Sequence, residues 1–431
     1  MLLKKELFLN LLIAFIPIAF IAGNLFINLN VLLIILFSLF FFRLKIFKEK
    51  FTNIDKLLLI FFLYISINGI INDYLKYDNS NIVLIKSLSY LRFLILYFIL
   101  KFFVRKNIIN FRYFFCSSGA ACFFVVMDII IQYTFKQDLF GYVVEQNQRV
   151  LSGPFGDEYI AGSFIQRFYI FGIYFILLLS NFKKSRFFYF LTYFSLIFLF
   201  FGSLLAGNRI PSLLFVLILI LFFLFEKLFR KQSLFIFIIF FIIMSLNLNF
   251  SKNLTFHYSA FVERSVELTK YLSKRLTNEK LDYIPNSYAK EIETGILVWQ
   301  QNKLVGGGVK SFYFNCVKIK NSVMDKTGGT NCSSHPHNYY LQISNELGLI
   351  GLFMSIAIFL AIIIKSLRII LSSRNIDQIK ILIPFFIVFI AEIFPLKTTG
   401  SFFTSANSTF LFIIIAFIIG IIQLKEKPNY E

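Results

Sequence analysis

The chain has 431 residues, of which 58% are hydrophobic and only 15% charged, with 61 Phe and a formal net charge of +20. Soluble proteins average about 45–50% apolar and about 25% charged residues. The composition therefore excludes a soluble enzyme, a disordered chain and a small disulfide-framed secreted domain. A polytopic all-α membrane protein remains. In that setting the positive charge is a topology signal before it is a sign of a nucleic-acid partner, and none is expected. The richness in Phe, Ile, Lys, Asn and Tyr also fits an AT-rich genome, so much of the aromatic content reads as codon bias.

A helix needs about 20 apolar residues to cross the hydrocarbon core, and the chain offers about twelve such segments. They are 7–22, 25–42, 56–71, 82–103, 111–134, 160–180, 186–205, 209–225, 233–250, 345–364, 378–396 and 408–424. The first follows Lys4 and Lys5 like a signal peptide, but no small-residue cleavage site separates it from the second, so it reads as a retained helix. With the amino terminus inside, the inside segments collect most of the basic residues, from Lys4 and Lys5 through Arg43–Lys56, Lys101–Arg112, Lys183–Arg186, Lys227–Lys231 and Lys365–Lys380 to Lys425 and Lys427. The short outside loops hold Lys76, Lys136, Arg149, Arg209 and Lys397. The positive-inside rule holds at every turn, which places both termini in the cytoplasm.

The expected organisation is membrane helices over 1–250, a helical outside loop domain over 251–344 between spans nine and ten, and further membrane helices over 345–431. Within the loop, Ser259–Leu276 has an amphipathic helical pattern with Phe261, Ser265, Leu268, Leu272 and Leu276 on one face. A second helix follows Pro285 and Asn286, with Ile292, Ile296 and Trp299 on one side, and a turn follows at Gly306–Gly308. Cys316 and Cys332 share this loop. If outside is the bacterial periplasm, the compartment is oxidising, and a bridge between them would contribute roughly 3 kcal/mol on the chain-entropy account. Cys116 and Cys122 read as packed thiols in the fifth span.

Chemistry concentrates at His335–Pro336–His337–Asn338, just before the tenth span. Two histidines lack a third ligand at credible spacing, so a metal site is not expected. A general base is the stronger functional reading, set against a simple polar helix start capped by Asn338 or His337. Charges within the spans are the second signal: Lys86, Arg92, Asp128, Arg167 and Glu392, with Arg209 opening the eighth. By helical rise they lie mostly in the outer half, which suggests a cationic cavity open toward the loop. Arginine suits phosphate, so a lipid-linked phosphate or pyrophosphate fits such a cavity. Structural ion pairs, Arg167 with Asp128 or with Glu392, are the competing explanation.

His337–Asn338, nine residues, then Gly348–Leu349–Ile350–Gly351 resembles the motif of the O-antigen ligase and O-antigen polymerase superfamily. Gly307–Phe312, Leu151–Glu158 and Gly207–Asn208–Arg209 resemble the segments that accompany it. The resemblance implies a metal-independent, inverting glycosyltransferase of the bacterial inner membrane, needing no cofactor, with its active site facing the periplasm. Such enzymes take a glycan from undecaprenyl pyrophosphate and pass it to the lipid A core, as ligases, or to a second lipid-linked glycan, as O-antigen or exopolysaccharide polymerases. Carried over, His337 is the base, Arg209 holds the pyrophosphate, and Arg167 or Arg149 joins it. His335, Asn338 and Glu158 are supporting candidates. The layout leans toward a ligase. Work alone or in a complex with a flippase and a chain-length regulator stays open, as do the sugar and the oligomeric state. A transporter of lipid-linked sugars would also explain many spans and a cationic cavity, but it predicts repeated halves that the chain does not display.

Overall fold

The structure, a computed structural model, describes residues 2–74, 81–144, 150–179, 185–226, 252–277, 284–320, 332–372, 376–397 and 400–424, with isolated residues between 230 and 242. Among them the regular elements are helices: α1 (Leu2–Ala14), α2 (Ile16–Ala22), α3 (Asn24–Phe42), α4 (Asn53–Tyr74), α5 (Ile82–Ser89), α6 (Leu91–Arg105), α7 (Phe111–Phe135), α8 (Ala161–Leu179), α9 (Arg186–Leu205) and α10 (Arg209–Phe225). Then come α11 (Lys252–Leu276), α12 (Ser287–Gln301), α13 (Phe312–Lys320), α14 (Tyr339–Ser372), α15 (Ile376–Glu392) and α16 (Ser405–Leu424).

This is an all-α membrane protein. Among the described residues, 8 helices are long and apolar enough to cross a bilayer, or up to 9 when the bent pair α1–α2 counts as one span. The expected count of about twelve is therefore not reached on this criterion. The reasons are local: α10 and α15 stop at 17 residues each, α1 and α2 bend by 41° at Phe15 with Pro17 opening α2, and the segment expected at 233–250 lies largely outside the described residues. The third span, expected over 56–71, is a 22-residue helix from Asn53 to Tyr74. The tenth begins at Tyr339 rather than at 345.

The bundle is organised around α16, which is buried on every side from Asn407 to Gln423 and packs on α3, α6, α14 and α15. A helix apolar all round belongs in such a position. Helices α7 and α8 approach closely because Gly119 and Gly172 face each other; a Cβ on Gly119 would lie 2.9 Å from the Gly172 Cα. Much of the Phe content packs the bundle rather than decorating it, as in the buried group of Phe114, Phe115, Phe171, Phe385 and Phe417. Other side chains, such as Leu25, Phe40 and Phe190, point outward as a lipid-facing surface should.

Helices α11 to α13 form a second cluster at one end of the bundle, around Tyr271, Ala289, Val298 and Phe312. Leu268 and Leu272 of α11 pack against it, while α11 starts at Lys252, earlier than the pattern suggested. On α12 the buried face runs through Ala289, Glu293, Thr294 and Val298, not through Ile292, Ile296 and Trp299. The helix is rotated because Gly295 meets Leu341 of α14 and Glu293 accepts a hydrogen bond from Tyr271 (2.7 Å) and pairs with Arg275 (3.0 Å). Cys316 and Cys332 are joined in a disulfide, Cα atoms 5.7 Å apart.

Gly348 breaks α14 with φ +67°, and a Cβ there would lie 2.1 Å from the Leu304 carbonyl oxygen. Gly348→Ala is expected to cost about 2 kcal/mol or more, from left-handed backbone strain and displacement of Leu304. A lowered thermal unfolding midpoint of the detergent-purified protein is the measurement; an unchanged midpoint would show that this close approach is dispensable.

Candidate functional site

The site is built from three short segments laid against helix ends. The first is the turn Gly306–Lys310. Its backbone is threaded between α4 and the broken start of α14. Gly307 and Gly308 N–H donate to the carbonyls of Asn345 and Glu346 (3.1 and 2.7 Å), and the Lys310 N–H donates to the Glu346 carboxylate (2.8 Å). From the other side Tyr64 OH donates to the Leu347 carbonyl (2.8 Å) and Asn68 Nδ2 to that of Val305 (2.6 Å). Gly306 has φ +73°, and a Cβ there would meet the Glu346–Gly348 backbone at 2.5 Å. Glycines at both 306 and 348 are what permits two backbones to run in contact.

The second segment is Ser333–Asn338. Asn338 caps α14: its Oδ1 accepts from Leu341 N–H (3.1 Å) and its Nδ2 donates to the Pro395 carbonyl (2.8 Å). His337, just before the cap, has φ +48°, a left-handed backbone that non-glycine residues adopt at a cost. The His335 and His337 rings are 4.3 Å apart between centroids. His335 Nδ1 is 2.9 Å from Ser334 Oγ, and its Nε2 is buried without a hydrogen-bond partner among the described residues. Burial, with His337 and Lys310 nearby, pushes the His335 imidazole down to about 4, so it is neutral at pH 7.

The third is the connection between α15 and α16. Glu392, fully buried at the end of α15, accepts from Arg167 Nε and Nη2 (3.1 and 2.8 Å), from Tyr339 OH (2.7 Å) and from Lys397 Nζ (2.5 Å). Arg167 Nη2 also donates to Asn407 Oδ1 (2.6 Å), and its guanidinium lies over the Phe410 ring. One carboxylate thus faces an arginine, which stays charged in proteins, and a lysine. Gln342 joins the start of α14 to the same connection, donating to Ser401 Oγ (2.8 Å) and accepting from Phe402 N–H (2.8 Å).

The second and third segments border a cavity of about 450 Å³, while the Gly306–Lys310 turn supports the start of α14 from outside it. His335, His337, Glu158, Arg167, Asn208 and Asn407 line it, over an apolar wall that includes Phe20 and Phe155. Asn208 fixes the rim: it accepts from Gly162 N–H (3.1 Å) and donates to the Tyr159 carbonyl (3.1 Å), and Leu151 N–H donates to the Ala206 carbonyl (3.2 Å). The 151–162 segment and the Gly207–Arg209 turn are thereby sewn together.

Residues 194–356 match the family model described as O-antigen ligase. This stretch of the chain is similar to the O-antigen ligase family. No curated protein matches the chain. The matched stretch spans the Arg209 turn, both glycine segments and His337–Asn338, and with the many apolar helices it marks a multi-pass protein of the inner membrane.

Against the sequence expectations, the cavity brings together His337, His335, Glu158 and Arg167. Asn338 is beside it as the helix cap. Arg209, half-buried at the first position of α10, follows the lining residue Asn208 but does not itself line the cavity. Arg149 lies outside the described residues, and so does the side chain of His257. Arg167 pairs with Glu392 and not with Asp128, whose Oδ1 accepts from Leu139 N–H (2.8 Å). Arg92 donates to Ser405 Oγ (2.8 Å) at the start of α16. The sequence reading missed Tyr339, Lys397, Asn407 and Ser401 as site residues. The available signal was the spacing of Glu392 and Lys397 across Pro395, which puts two opposite charges on one turn at a span end.

Glu392→Ala is expected to cost about 3–5 kcal/mol, the range for removing one partner of a buried ion pair. Glu392→Gln, which keeps an acceptor oxygen, should cost less. Thermal unfolding of the two purified variants reads the difference, and equal small losses would mean that the network is not a structural keystone.

Proposed function

We propose that this protein transfers a glycan from undecaprenyl pyrophosphate to a sugar hydroxyl at the periplasmic face of the inner membrane, as an O-antigen ligase acting on the lipid A core. What carries the reading is the shared cavity: a histidine of the superfamily motif and a fixed arginine line one space, with the Arg209 turn at its rim. In this reading helices α11 to α13 form a periplasmic loop domain and both termini are cytoplasmic.

The chemistry needs few parts. His337 takes the proton of the acceptor hydroxyl as that oxygen attacks the anomeric carbon. The bond from that carbon to the pyrophosphate oxygen breaks, and undecaprenyl pyrophosphate leaves with its charge. Attack from the side opposite the leaving group inverts the anomeric centre. Arg209 receives the pyrophosphate, and Arg167, held by Glu392, adds a fixed positive wall. Fixed cations of this kind stabilise a departing anion without reorganising. His335, kept neutral beside His337, prevents two adjacent imidazoliums and leaves the proton on the base. Glu158, exposed and lining the cavity, is the candidate for taking sugar hydroxyls in this reading.

The polymerase reading shares every one of these parts and differs only in the acceptor. A glycolipid gel of a strain lacking the gene, beside its complemented strain, separates them. Loss of long glycan from the lipid A core while it persists on the carrier identifies a ligase. Single repeat units on the core identify a polymerase, and an unchanged profile overturns both. His337→Ala should lower transfer by about 10²–10⁴-fold, the usual contribution of a general base, with membrane insertion intact. Transfer at the wild-type rate would remove the base assignment. Arg209→Lys should restore part of the activity lost in Arg209→Ala if charge alone matters; equal loss in a donor-saturation assay indicates paired hydrogen bonds to phosphate.

A further inference from the structure

A second, largely apolar concavity lies between the bent pair α1–α2 and α7. It is an open depression of about 970 Å³, and none of its described lining residues is charged. Ala14, Ser117 and Ala120 form part of its floor, Ile18 one wall, and Phe140 and Pro154 its upper end. The Ser117 hydroxyl donates to the Ala14 carbonyl (2.5 Å), so that polar group is already satisfied. The α1–α2 bend at Phe15 lies along it, and Phe15 is one of the lining residues. Along α7 it extends from Tyr113 to Phe124, about 16 Å at helical rise. That is about half the thickness of a hydrocarbon core.

Its upper end abuts the site. The cavity is lined by Phe20, Gly23 and Phe155, and the groove by Ile21, Ala22 and Pro154. The two spaces are opposite faces of the same two short segments. A molecule with an anionic head in the cavity and a long apolar tail would pass over α2 or Pro154 and descend along the groove. An ordinary phospholipid could also lie against this surface, but only a ligand whose head occupies the cavity gains from both spaces at once.

We propose that the groove between α1–α2 and α7 seats the polyprenyl tail of the lipid-linked donor. The proposal rests on the donor reading given under Proposed function. Burial of apolar chain at a fixed place would then contribute to donor binding in proportion to tail length.

The test uses the full-length protein in proteoliposomes with two sugar pyrophosphate donors, one on a long polyprenyl chain and one on a short prenyl chain. Ala120→Trp narrows the groove from an exposed position, and Phe190→Trp, on the exposed face of α9, is the control. Ala120→Trp is expected to raise KM for the long-chain donor by about tenfold, with kcat and the short-chain KM unchanged and the control like wild type. An equal rise for both donors, or no rise for either, overturns the groove assignment. A polyprenyl pyrophosphate with a photoreactive tail and no sugar provides a readout independent of transfer. Labelling confined to α1, α2 and α7 supports the seat; labelling spread over the bundle, or abolished by excess phospholipid alone, overturns it. If wild type transfers from neither donor, the transfer reading fails by itself, and the labelling pattern still decides the groove.

Discussion

The arrangement of the site depends on one buried carboxylate. Glu392 sits fully inside the bundle at the end of α15, where an unpaired charge would be costly. Its partners come from α8, from the first residue of α14 and from the connection into α16. A buried ion pair of this kind is weak evidence for net stability, because desolvation opposes the attraction. Its stronger effect is on position. Tyr339 is two residues from His337, and Asn338 and Tyr340 bond the carbonyls of Pro395 and Ile393 on the same connection. The start of α14 is therefore pinned in register with the end of α15, and the histidine segment follows.

A second constraint fixes the same helix from the opposite side. The Gly306–Lys310 turn uses the N–H groups of Gly307 and Gly308 to satisfy carbonyls freed where α14 breaks at Gly348. Glu346 closes the arrangement by accepting from Lys310 N–H and Gln342. The glycines of the superfamily motif therefore have a packing reason in this chain. They let the turn lie on the helix, against Asn345–Gly348. The histidine segment and the glycines thus have separate places in the motif: His337 lines the cavity, and Gly348, within the helix that follows, lets the turn pack against it.

The fold class was legible because hydrocarbon imposes a simple length and polarity rule on each span. That rule was less able to count spans, since α10 and α15 are short and α1–α2 is bent. Hydropathy measures apolar length but not whether a neighbour covers a short or broken helix. Asn338 as cap and His337 as cavity residue were readable from local pattern, because helix starts are local events. The partner of Arg167 was not. Arg167 and Glu392 are 225 residues apart, and only the packed bundle decides between Glu392 and Asp128. The buried face of α12 was not legible either: it runs through Ala289, Glu293, Thr294 and Val298, where Tyr271 bonds Glu293 and Gly295 meets Leu341, while Ile292, Ile296 and Trp299 stay partly exposed.

Buried charge alone does not mark a site in this protein. Asp55 and Lys101 form an equally buried pair (2.8 Å) between α4 and α6. Tyr97 OH and the Thr52 N–H and hydroxyl complete the Asp55 shell, with Thr52 and Asp55 forming a capping pair at the start of α4. Those contacts are internal to the bundle, and they hold two helices together. The Glu392 network differs in having one face turned to space. Arg167 reaches from the ion pair to the cavity wall, beside a histidine in strained backbone conformation and another with a buried nitrogen left unmatched among the described residues. A polar network that is fully closed specifies a fold. One that presents a fixed cation and histidine side chains to a cavity has capacity left for a ligand.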